Sequence, residues 1–417
     1  MTAPFAVLWD HAHVWGLLLC RGLAALGAAC RPVTCAEVAA GGLASHPPRA
    51  LLVPGGFSRP KFAALGGAGQ RAVRDYVAGG GNYFGVCGGC GLALSHEAGL
   101  GLCDWTRRPF ADRLEHLASG HVRLRGDAAS PYLPAELPED FQAPVWWPAG
   151  FVPPPGAGNG AGAAVVAAYA GPGEDFMLAD IALGAMPGAL LGACQERFGL
   201  TLAPAFLDGG ACVIAGAFGH GRYVLSHAHL ETPDSPQANA WLAHLLGLFD
   251  PGGEIAGRLV PAWHPAKETR LFADVHLEAA RRDIESVIAA GIEARLLMRR
   301  SDWLLGWRPG MPGFSLSNLS ALLAGASALP PTEAAVAYWR QAGPDFAQRA
   351  AAFARRLEVF FPAQRLEITL SLVERQAGAD PGLAAERREL FGASPGGGGL
   401  CGELAATLDA LLLRLLS

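Results

Sequence analysis

Charged residues are scarce in this sequence, and neither sign is in large excess. The 417 residues include 32 Lys or Arg and 37 Asp or Glu, which makes 17% charged residues and a net charge of −5. Because the chain has no cationic surplus to neutralise a phosphate backbone, we expect no nucleic-acid partner. Hydrophobic residues make up 51% of the chain. This fraction excludes disorder as the main state and allows a large buried core in two or three domains.

The sequence also lacks a long apolar run and a basic leader. The most membrane-like stretch, Ala12–Cys30, is interrupted by Arg21, whereas a spanning helix needs about 20 successive apolar residues. A secretory signal begins with basic residues, but Met1–His13 contains Asp10 and neither Lys nor Arg. We therefore expect a cytoplasmic protein with no membrane partner.

A disulfide framework is not expected either. The nine cysteines are an odd number and are scattered along a long chain, whereas disulfide frameworks belong to short secreted domains. Most of these cysteines are therefore expected to be reduced and to act as small core residues. A functional cysteine has to be recognised by its local setting.

The first 250 residues alternate short apolar runs with segments of helical period. Such alternation predicts βαβ units and an α/β fold with a doubly wound, mostly parallel sheet of flavodoxin or amidotransferase type. A later strand and a β-hairpin that turns at Gly219–Gly221 extend this sheet, and the Pro- and Gly-rich stretch 143–162 is predicted to be a long ordered loop. The predicted strands are Phe5–Trp9, Pro32–Cys35, Ala50–Val53, Tyr83–Val86, Ala163–Tyr169 and the hairpin Ala211–His229, and the predicted helices are Val14–Leu26 and Gln70–Ala78.

A strand that runs into Gly85-Val86-Cys87-Gly88-Gly89 is the most informative motif. It is the G-x-C-x-G form of a nucleophile elbow, in which a sharp strand-to-helix turn exposes the nucleophile. Flanking glycines leave room around a strained backbone, and the following helix N-terminus lowers the thiol pKa. The alternative interpretation is a buried cysteine in a glycine-rich turn.

Two other segments supply what a cysteine nucleophile needs. Pro54-Gly55-Gly56 ends the preceding strand, so the N–H groups of Gly56 and Gly88 are candidates for an oxyanion hole. His229 and Glu231 are two residues apart at the end of a later strand, where they are expected to share a face. They are the candidate base and orienting acid.

The order VPGG, RDYVAGGGNYFGVCGG and GHGRYVLSHAHLE resembles class I glutamine-amidotransferase-like domains. More narrowly, residues 3–250 are similar to the domain at the N-terminus of eukaryotic biotin–protein ligases and in free-standing bacterial proteins. The resemblance implies a domain over 1–252, with Cys87 as nucleophile, His229 as base, Glu231 as orienting acid and Gly56 and Gly88 at the oxyanion. We expect no cofactor.

The sequence departs from that family at several points. Glutamine-hydrolysing members commonly have Gln where Gly91 stands and Pro where Leu230 stands, and the residue after the cysteine is Gly88. The catalytic signature of biotin ligases is absent, since Gly219–Arg222 lies in the predicted hairpin turn. We therefore expect an amidotransferase-like hydrolase that acts on an amide or acyl group of a small molecule through a thioester. The alternative is a non-catalytic small-molecule-binding or regulatory module that keeps the same pocket.

A second chemistry is compatible with the same residues. Cys87 and Cys90 form a C-x-x-C, and His227 and His229 are two apart on one strand. Two thiolates and two imidazoles are a typical tetrahedral zinc set, and C-x-x-C is also a redox motif. We expect no metal, and keep this set as the second alternative.

Further candidates border the predicted cleft. Asp10, with His11 and His13, follows the first strand, and Gly55 and His227 lie beside the oxyanion and base segments. Trp146 and Trp147 are candidates for the wall of an apolar pocket. The alternative for Asp10, His11 and His13 is an ordinary place in a loop or at a helix start. The alternative for the two tryptophans is to cap the core beneath a long loop.

The region from 255 to 417 is predicted to be an all-helical extension that follows Pro251-Gly252-Gly253. Helical period marks Lys267–Arg299, Thr332–Val359 and Leu404–Leu416, and 394–399 is predicted to be a linker. Its apolar faces must be buried. One hypothesis is that the bundle shapes the Cys87 cleft through residues 303–314, and the alternative is packing elsewhere or dimerisation. The sequence does not indicate the oligomeric state.

Overall fold

The computed structural model of the chain describes residues 4–108, 117–156, 162–184, 186–199, 202, 205–307, 313–373, 380–393 and 398–417. The chain divides into two compact units, Met1–Ala262 and Trp263–Ser417. The first unit continues past Gly253, because the Val260 N–H donates to Asn239 Oδ1 at 3.0 Å.

The first unit is a large sheet with helices. Its strands are β1 (Phe5–Leu8), β2 (Cys30–Val33), β3 (Ala50–Val53), β4 (Asn82–Val86), β5 (Thr106–Arg107), β6 (Ala118–Gly126), β7 (Asp140–Trp146), β8 (Phe151–Val152), β9 (Ala163–Pro172), β10 (Met177–Leu178), β11 (Ile181–Ala182), β12 (Asp208–Phe218) and β13 (Gly221–Ser226). Its helices are α1 (Val14–Ala25), α2 (Cys35–Ala39), α3 (Gly42–Ser45), α4 (Ser58–Ala78), α5 (Gly88–Ala93), α6 (Gly188–Phe198) and α7 (Pro236–Phe249).

One half of the sheet is parallel, in the order β2-β1-β3-β4-β13. Parallel neighbours need crossover connections, and α1, α2 with α3, and α4 supply them. All residues of β1 and β3 are buried, as expected for strands covered on both faces. The structure therefore confirms the mixed α/β fold with a parallel core sheet.

The register of this half brings three turns together. Val53 of β3 pairs with Gly85 of β4, and Val86 of β4 pairs with Ser226 of β13. Since the carboxyl ends of parallel strands meet at one edge of a sheet, the chain leaves these three strands side by side. The candidate residues follow these three strand ends. They are Gly55 and Gly56 after β3 (the oxyanion turn), Cys87 and Gly88 after β4 (the elbow), and His229 and Glu231 after β13 (the His–Glu segment).

The other half of the sheet is antiparallel, in the order β13-β12-β9-β6-β10-β11, with β7 paired to β6 and β8 paired to β12 and β5. The predicted hairpin is confirmed as β12 and β13, and its two-residue turn has Gly219 at φ 62°. A glycine in the first central position is what such a turn prefers. This half is more extensive than the sequence analysis predicted, because the alternation of buried and exposed residues in β6 was not recognised.

The prediction of one long loop over 143–162 is wrong in its first part. β7 continues to Trp146, with Pro144 opposite His121 of β6, and β8 follows at Phe151. Proline interrupts a central strand, but among the described residues β7 pairs with β6 alone, and an edge strand tolerates the missing N–H. Residues 157–161 of the predicted loop lie outside the described residues.

The second unit confirms the predicted helical extension, and its described residues also include one short hairpin that the sequence did not indicate. The helix predicted over 267–299 ends at Glu293, because Arg295 adopts a left-handed φ of 58° and the chain reverses into the hairpin. The predicted segments 303–314 and 394–399 lie partly outside the described residues. The elements are α8 (Val275–Glu293), β14 (Leu297–Arg299), β15 (Leu305–Trp307), α9 (Gly313–Ala328), α10 (Glu333–Val373), α11 (Pro381–Phe391) and α12 (Gly399–Leu416).

The leucine stripe of α12 is buried as its helical spacing predicts; its members are Leu404, Leu408, Leu411, Leu412 and Leu415. No helix within the described ranges is long and apolar enough to cross a membrane.

The parallel core yields a stability prediction. Leu51 of β3 is 0% exposed and lies between β1 and β4. Leu51→Ala should lower the free energy of unfolding by about 2–5 kcal/mol, because it removes buried methyl groups and leaves a cavity. Leu190→Ala is the control, since Leu190 is 49% exposed and an exposed truncation changes stability by about 0.5 kcal/mol. Urea unfolding followed by circular dichroism measures both. Equal shifts of the two midpoints would contradict the burial of β3.

Candidate active site

Cys87 lies between β4 and α5 in a strained backbone conformation. Its φ is 48° and its ψ is −100°, a region that residues with a side chain rarely adopt. The Cys87 N–H donates to Ser226 O at 2.8 Å, which ties the elbow to the end of β13. Strain of this kind persists only where the surrounding structure enforces it, and it is concentrated at functional sites.

The glycines after Cys87 allow the elbow to touch the turn after β3. A Cβ at Gly88 would lie 2.1 Å from Gly56 O, and one at Gly89 would lie 2.0 Å from Val53 O. Both obstacles are backbone atoms, which cannot swing aside as a flexible side chain can. Only glycine therefore fits at these two positions of the elbow.

His229 and Glu231 form a buried pair. His229 Nδ1 lies 2.7 Å from Glu231 Oε1, and the two side chains are 0% and 1% exposed. The opposite ring nitrogen, Nε2, is also buried and has no other partner in the described part of the chain, so it is the nitrogen that serves the Cys87 thiol. The carboxylate thus leaves the opposite ring nitrogen, Nε2, for the Cys87 thiol.

Two neighbours hold the His–Glu segment in place. The His229 N–H donates to Pro144 O of the edge strand β7 at 2.8 Å. The side chain of Asn239, in α7, donates to the carbonyl oxygens of Leu230 and Thr232, each at 2.9 Å. Asn239 is fully buried, and sequence reasoning missed its contacts because an isolated polar residue in an apolar helix carries no signal of its partners.

The thiol and the imidazole shift each other's pKa toward an ion pair. Burial alone would raise the pKa of the Cys87 thiol, but the hydrogen bond and charge of His229 and the charge of Arg107 leave that pKa lowered. Burial alone would lower the pKa of His229, whereas the Glu231 carboxylate and the Cys87 thiol raise it to about 9. Both shifts favour the charged forms of the pair, a thiolate beside an imidazolium.

Arg107 was not identified by the sequence analysis. It is in β5, opposite Phe151 of β8, and its Nε is buried without a hydrogen-bond partner within the described ranges. Its positive charge lowers the pKa values of both Cys87 and Cys90. A lone Arg in a two-residue strand carries no sequence signal of this role.

The two candidate oxyanion donors lie next to each other. Gly56 has a φ of 97°, and a Cβ at Gly88 would lie 3.3 Å from Gly56 N. Neither backbone N–H donates a hydrogen bond within the part of the chain that the structure describes. Two N–H donors without a partner beside the Cys87 turn are the groups from which an oxyanion hole is built.

Three of the candidate pocket residues lie at the site. The Cys87 thiol is 3.8 Å from Trp146 O, and the Trp146 indole N–H donates to Thr232 Oγ1 at 3.3 Å. A Cβ at Gly55 would lie 2.9 Å from His229 Cε1. Trp147, at φ 63°, places its ring 6.4 Å from that of Phe57, beside the oxyanion turn.

The other pocket candidates make structural contacts. The Asp10 carboxylate accepts the N–H of Cys35 at 2.6 Å and so ties the end of β1 to α2. The His227 ring stacks on Phe151 with a centroid distance of 4.2 Å. His11 and His13 both have positive φ and lie next to the oxyanion turn, since His11 O accepts the Phe57 N–H and the His13 ring is 6.3 Å from that of Phe57.

The zinc set Cys87, Cys90, His227 and His229 does not form a metal site in the structure. Within the described ranges, no three His, Cys, Asp or Glu residues are grouped so that they could hold a metal ion. The Cys90 thiol instead lies 3.1 Å from both Gly85 O and Ser226 O, and burial raises its pKa. A neutral thiol that donates to carbonyl groups is a core residue rather than a ligand.

A Ser–His–Asp arrangement is also present elsewhere in the first unit. His121 Nε2 lies 3.0 Å from Ser235 Oγ, and His121 Nδ1 lies 3.0 Å from Asp175 Oδ2. Ser235 is buried, with 3% of its surface exposed. These contacts join β6 to the residue that precedes α7.

No family model matches the sequence, and no curated protein matches it. Among solved structures, the chain is similar to a putative GMP synthase subunit from Thermoplasma acidophilum, with 10% identity and a TM-score of 0.38 over 60% of this chain and 96% of that one. It is also similar to β-galactosidases from Bacillus circulans sp. alkalophilus (12% identity, TM-score 0.36, 61% of this chain and 32% of that one) and Rahnella sp. R3 (12%, 0.34, 59% and 31%).

Proposed function

We propose that the first unit is a cysteine-dependent, amidotransferase-like hydrolase that cleaves an amide or related acyl group of a small molecule through a thioester. One observation carries the proposal. Cys87 is at a strained elbow beside a buried imidazole whose Nδ1 is 2.7 Å from a buried carboxylate. A nucleophile, a base and an orienting group in this arrangement are the usual machinery of acyl transfer.

The first half of the reaction forms the thioester. The Cys87 thiolate attacks the acyl carbon, and the carbonyl electron pair moves onto oxygen, where the Gly56 and Gly88 N–H groups stabilise it. The pair then reforms the carbonyl and the C–N bond breaks. His229, protonated at Nε2, donates its proton to the leaving amine, while Glu231 stabilises the imidazolium.

The second half releases the acid. Neutral His229 takes a proton from water, and the water oxygen bonds to the acyl carbon while the same two N–H groups hold the oxyanion. The C–S bond then breaks, the carboxylic acid leaves, and Cys87 returns to the thiolate beside the imidazolium. Every step uses groups of this chain and water.

The site differs from a typical glutaminase at position 91. Gly91 stands where glutamine-hydrolysing relatives carry Gln, and a Cβ there would already lie 3.1 Å from Ser58 Oγ. A long side chain at this position would require Ser58 to move. We therefore propose an amide or acyl substrate as a class and do not restrict it to glutamine.

The pKa shifts predict early ionisation of Cys87. Its rate of labelling by iodoacetamide should rise with pH with a midpoint below about 8.5, the ordinary thiol value. In His229→Gln, burial is no longer opposed by the imidazolium, so the midpoint should rise above that value and the rate at pH 7 should fall at least about tenfold. Mass spectrometry of the Cys87 peptide measures the rate among nine cysteines.

His227→Gln is the matched control for this experiment. It makes the same change two residues away, and His227 is not among the groups that shift the pKa of Cys87. Its labelling midpoint should equal that of the unaltered protein. A midpoint of about 8.5 or higher in the unaltered protein would contradict a Cys87 nucleophile and would favour the binding-module alternative.

Acyl transfer to Cys87 is a separate prediction. With p-nitrophenyl acetate, the protein should release a burst of nitrophenol equal to its concentration and gain one acetyl group on Cys87, because the thiolate forms a thioester. Cys87→Ala should lose the burst and the adduct, whereas Cys90→Ser should keep both, since a hydroxyl can replace the Cys90 thiol as donor to two carbonyls. Intact-mass spectrometry and absorbance follow the reaction. A burst that persists in Cys87→Ala would disprove the assignment.

A further inference from the structure

Lys61 is a buried cation beside the candidate oxyanion hole. It is in the first turn of α4, and its side chain is 0% exposed. Its ammonium group donates to His11 O at 2.8 Å and to Gly55 O at 2.9 Å. A buried ammonium is costly unless it is hydrogen-bonded, so these carbonyl groups are held firmly against it.

The Gly55–Gly56 peptide lies between Lys61 and the Cys87 site. On one side, a Cβ at Gly56 would lie 2.2 Å from His11 O and 3.1 Å from Lys61 Nζ. On the other side, a Cβ at Gly55 would lie 2.9 Å from His229 Cε1. The Gly55 carbonyl therefore faces the Lys61 ammonium. The Cα of Gly55, from which that Cβ would project, faces the His229 ring.

The geometry of a peptide bond turns this placement into an orientation. In a planar trans peptide, the C=O and the N–H point in opposite directions. Because Lys61 holds the Gly55 oxygen, the N–H of the same peptide, which belongs to Gly56, must point away from the ammonium. The charge on the carbonyl also polarises the peptide and strengthens its N–H as a donor.

We propose that Lys61 is a positioning residue of the oxyanion hole, whose ammonium fixes the Gly55 carbonyl so that the Gly56 N–H faces the acyl centre at Cys87. The inference rests on the proposed function of Cys87 as a nucleophile. Lys61 acts through the Gly55–Gly56 peptide and does not touch the substrate.

Two reactions of the same thiol separate this role from a general effect on the site. In reversible addition of butyraldehyde, the thiolate sulfur bonds to the carbonyl carbon and the carbonyl electron pair moves to oxygen, which needs the oxyanion hole. Alkylation by iodoacetamide forms a C–S bond while iodide leaves, so no oxyanion develops. Protection of Cys87 from iodoacetamide by increasing butyraldehyde gives the dissociation constant of the aldehyde adduct.

Lys61→Met should weaken butyraldehyde binding by about 10-fold or more, since loss of one oxyanion donor typically costs a factor of about 100–1,000 in turnover. The rate of iodoacetamide labelling should stay within about twofold, because the thiol and His229 are unchanged. For the same reason, the pH midpoint of labelling should not move. Arg59→Met is the matched control: it removes a cation from the same helix, but Arg59 is exposed and paired with Glu97, so both measurements should stay unchanged.

Lys61→Gln keeps an N–H donor near the Gly55 carbonyl and serves if Lys61→Met does not fold by circular dichroism. Where both variants fold, Lys61→Gln should lose less aldehyde affinity than Lys61→Met. Where only Lys61→Gln folds, it should still bind butyraldehyde more weakly than the unaltered protein does. Unchanged aldehyde affinity in the folded variant overturns the inference, and so does a parallel fall in aldehyde affinity and alkylation rate. If the unaltered protein shows neither early ionisation nor aldehyde binding, the proposed function of Cys87 fails instead.

Discussion

The candidate site depends on hydrogen bonds to the carbonyl oxygen of Ser226. This oxygen accepts the Cys87 N–H at 2.8 Å and the Cys90 thiol at 3.1 Å. Ser226 ends β13, and the chain then continues to His229. One acceptor therefore links the backbone of Cys87 to the start of the segment that carries His229. The positive φ of Cys87 is costly, and this bond to the central strand is a direct compensation for it.

Close backbone contact is the second constraint on this edge of the sheet. Gly88 and Gly89 touch the carbonyl oxygens of Gly56 and Val53, so the turns after β3 and β4 pack without side chains between them. The absence of side chains lets the backbone of Gly88 lie directly against that of Gly56. It also leaves the turn after β3 in need of support from elsewhere, and the buried ammonium of Lys61 provides it.

Local pattern was sufficient to predict the parallel core and the elbow, because β1, β3 and β4 are short apolar runs bounded by glycine or proline. It failed where structure depends on distant partners. The edge strand β7 was missed because a proline such as Pro144 is typical of loops. It is compatible with this strand because, among the described residues, β7 has a neighbouring strand on one side only. The contributions of Lys61, Arg107 and Asn239 were also missed, since each acts across segments far apart in sequence and an isolated polar residue gives no periodic signal.

Cys87 and Cys90 show how much the surroundings decide. Both thiols are in the same C-x-x-C, and burial raises the pKa of each. Cys90 points at two carbonyl oxygens, which favour a proton on sulfur and keep it a neutral thiol. Cys87 faces an imidazole that a buried carboxylate keeps protonated, so the thiolate gains a partner that outweighs its desolvation. The charge of Glu231 thus acts on the Cys87 thiol in two opposite ways. Acting directly it raises the thiol pKa, whereas by keeping His229 protonated it supplies the positive partner that lowers that pKa.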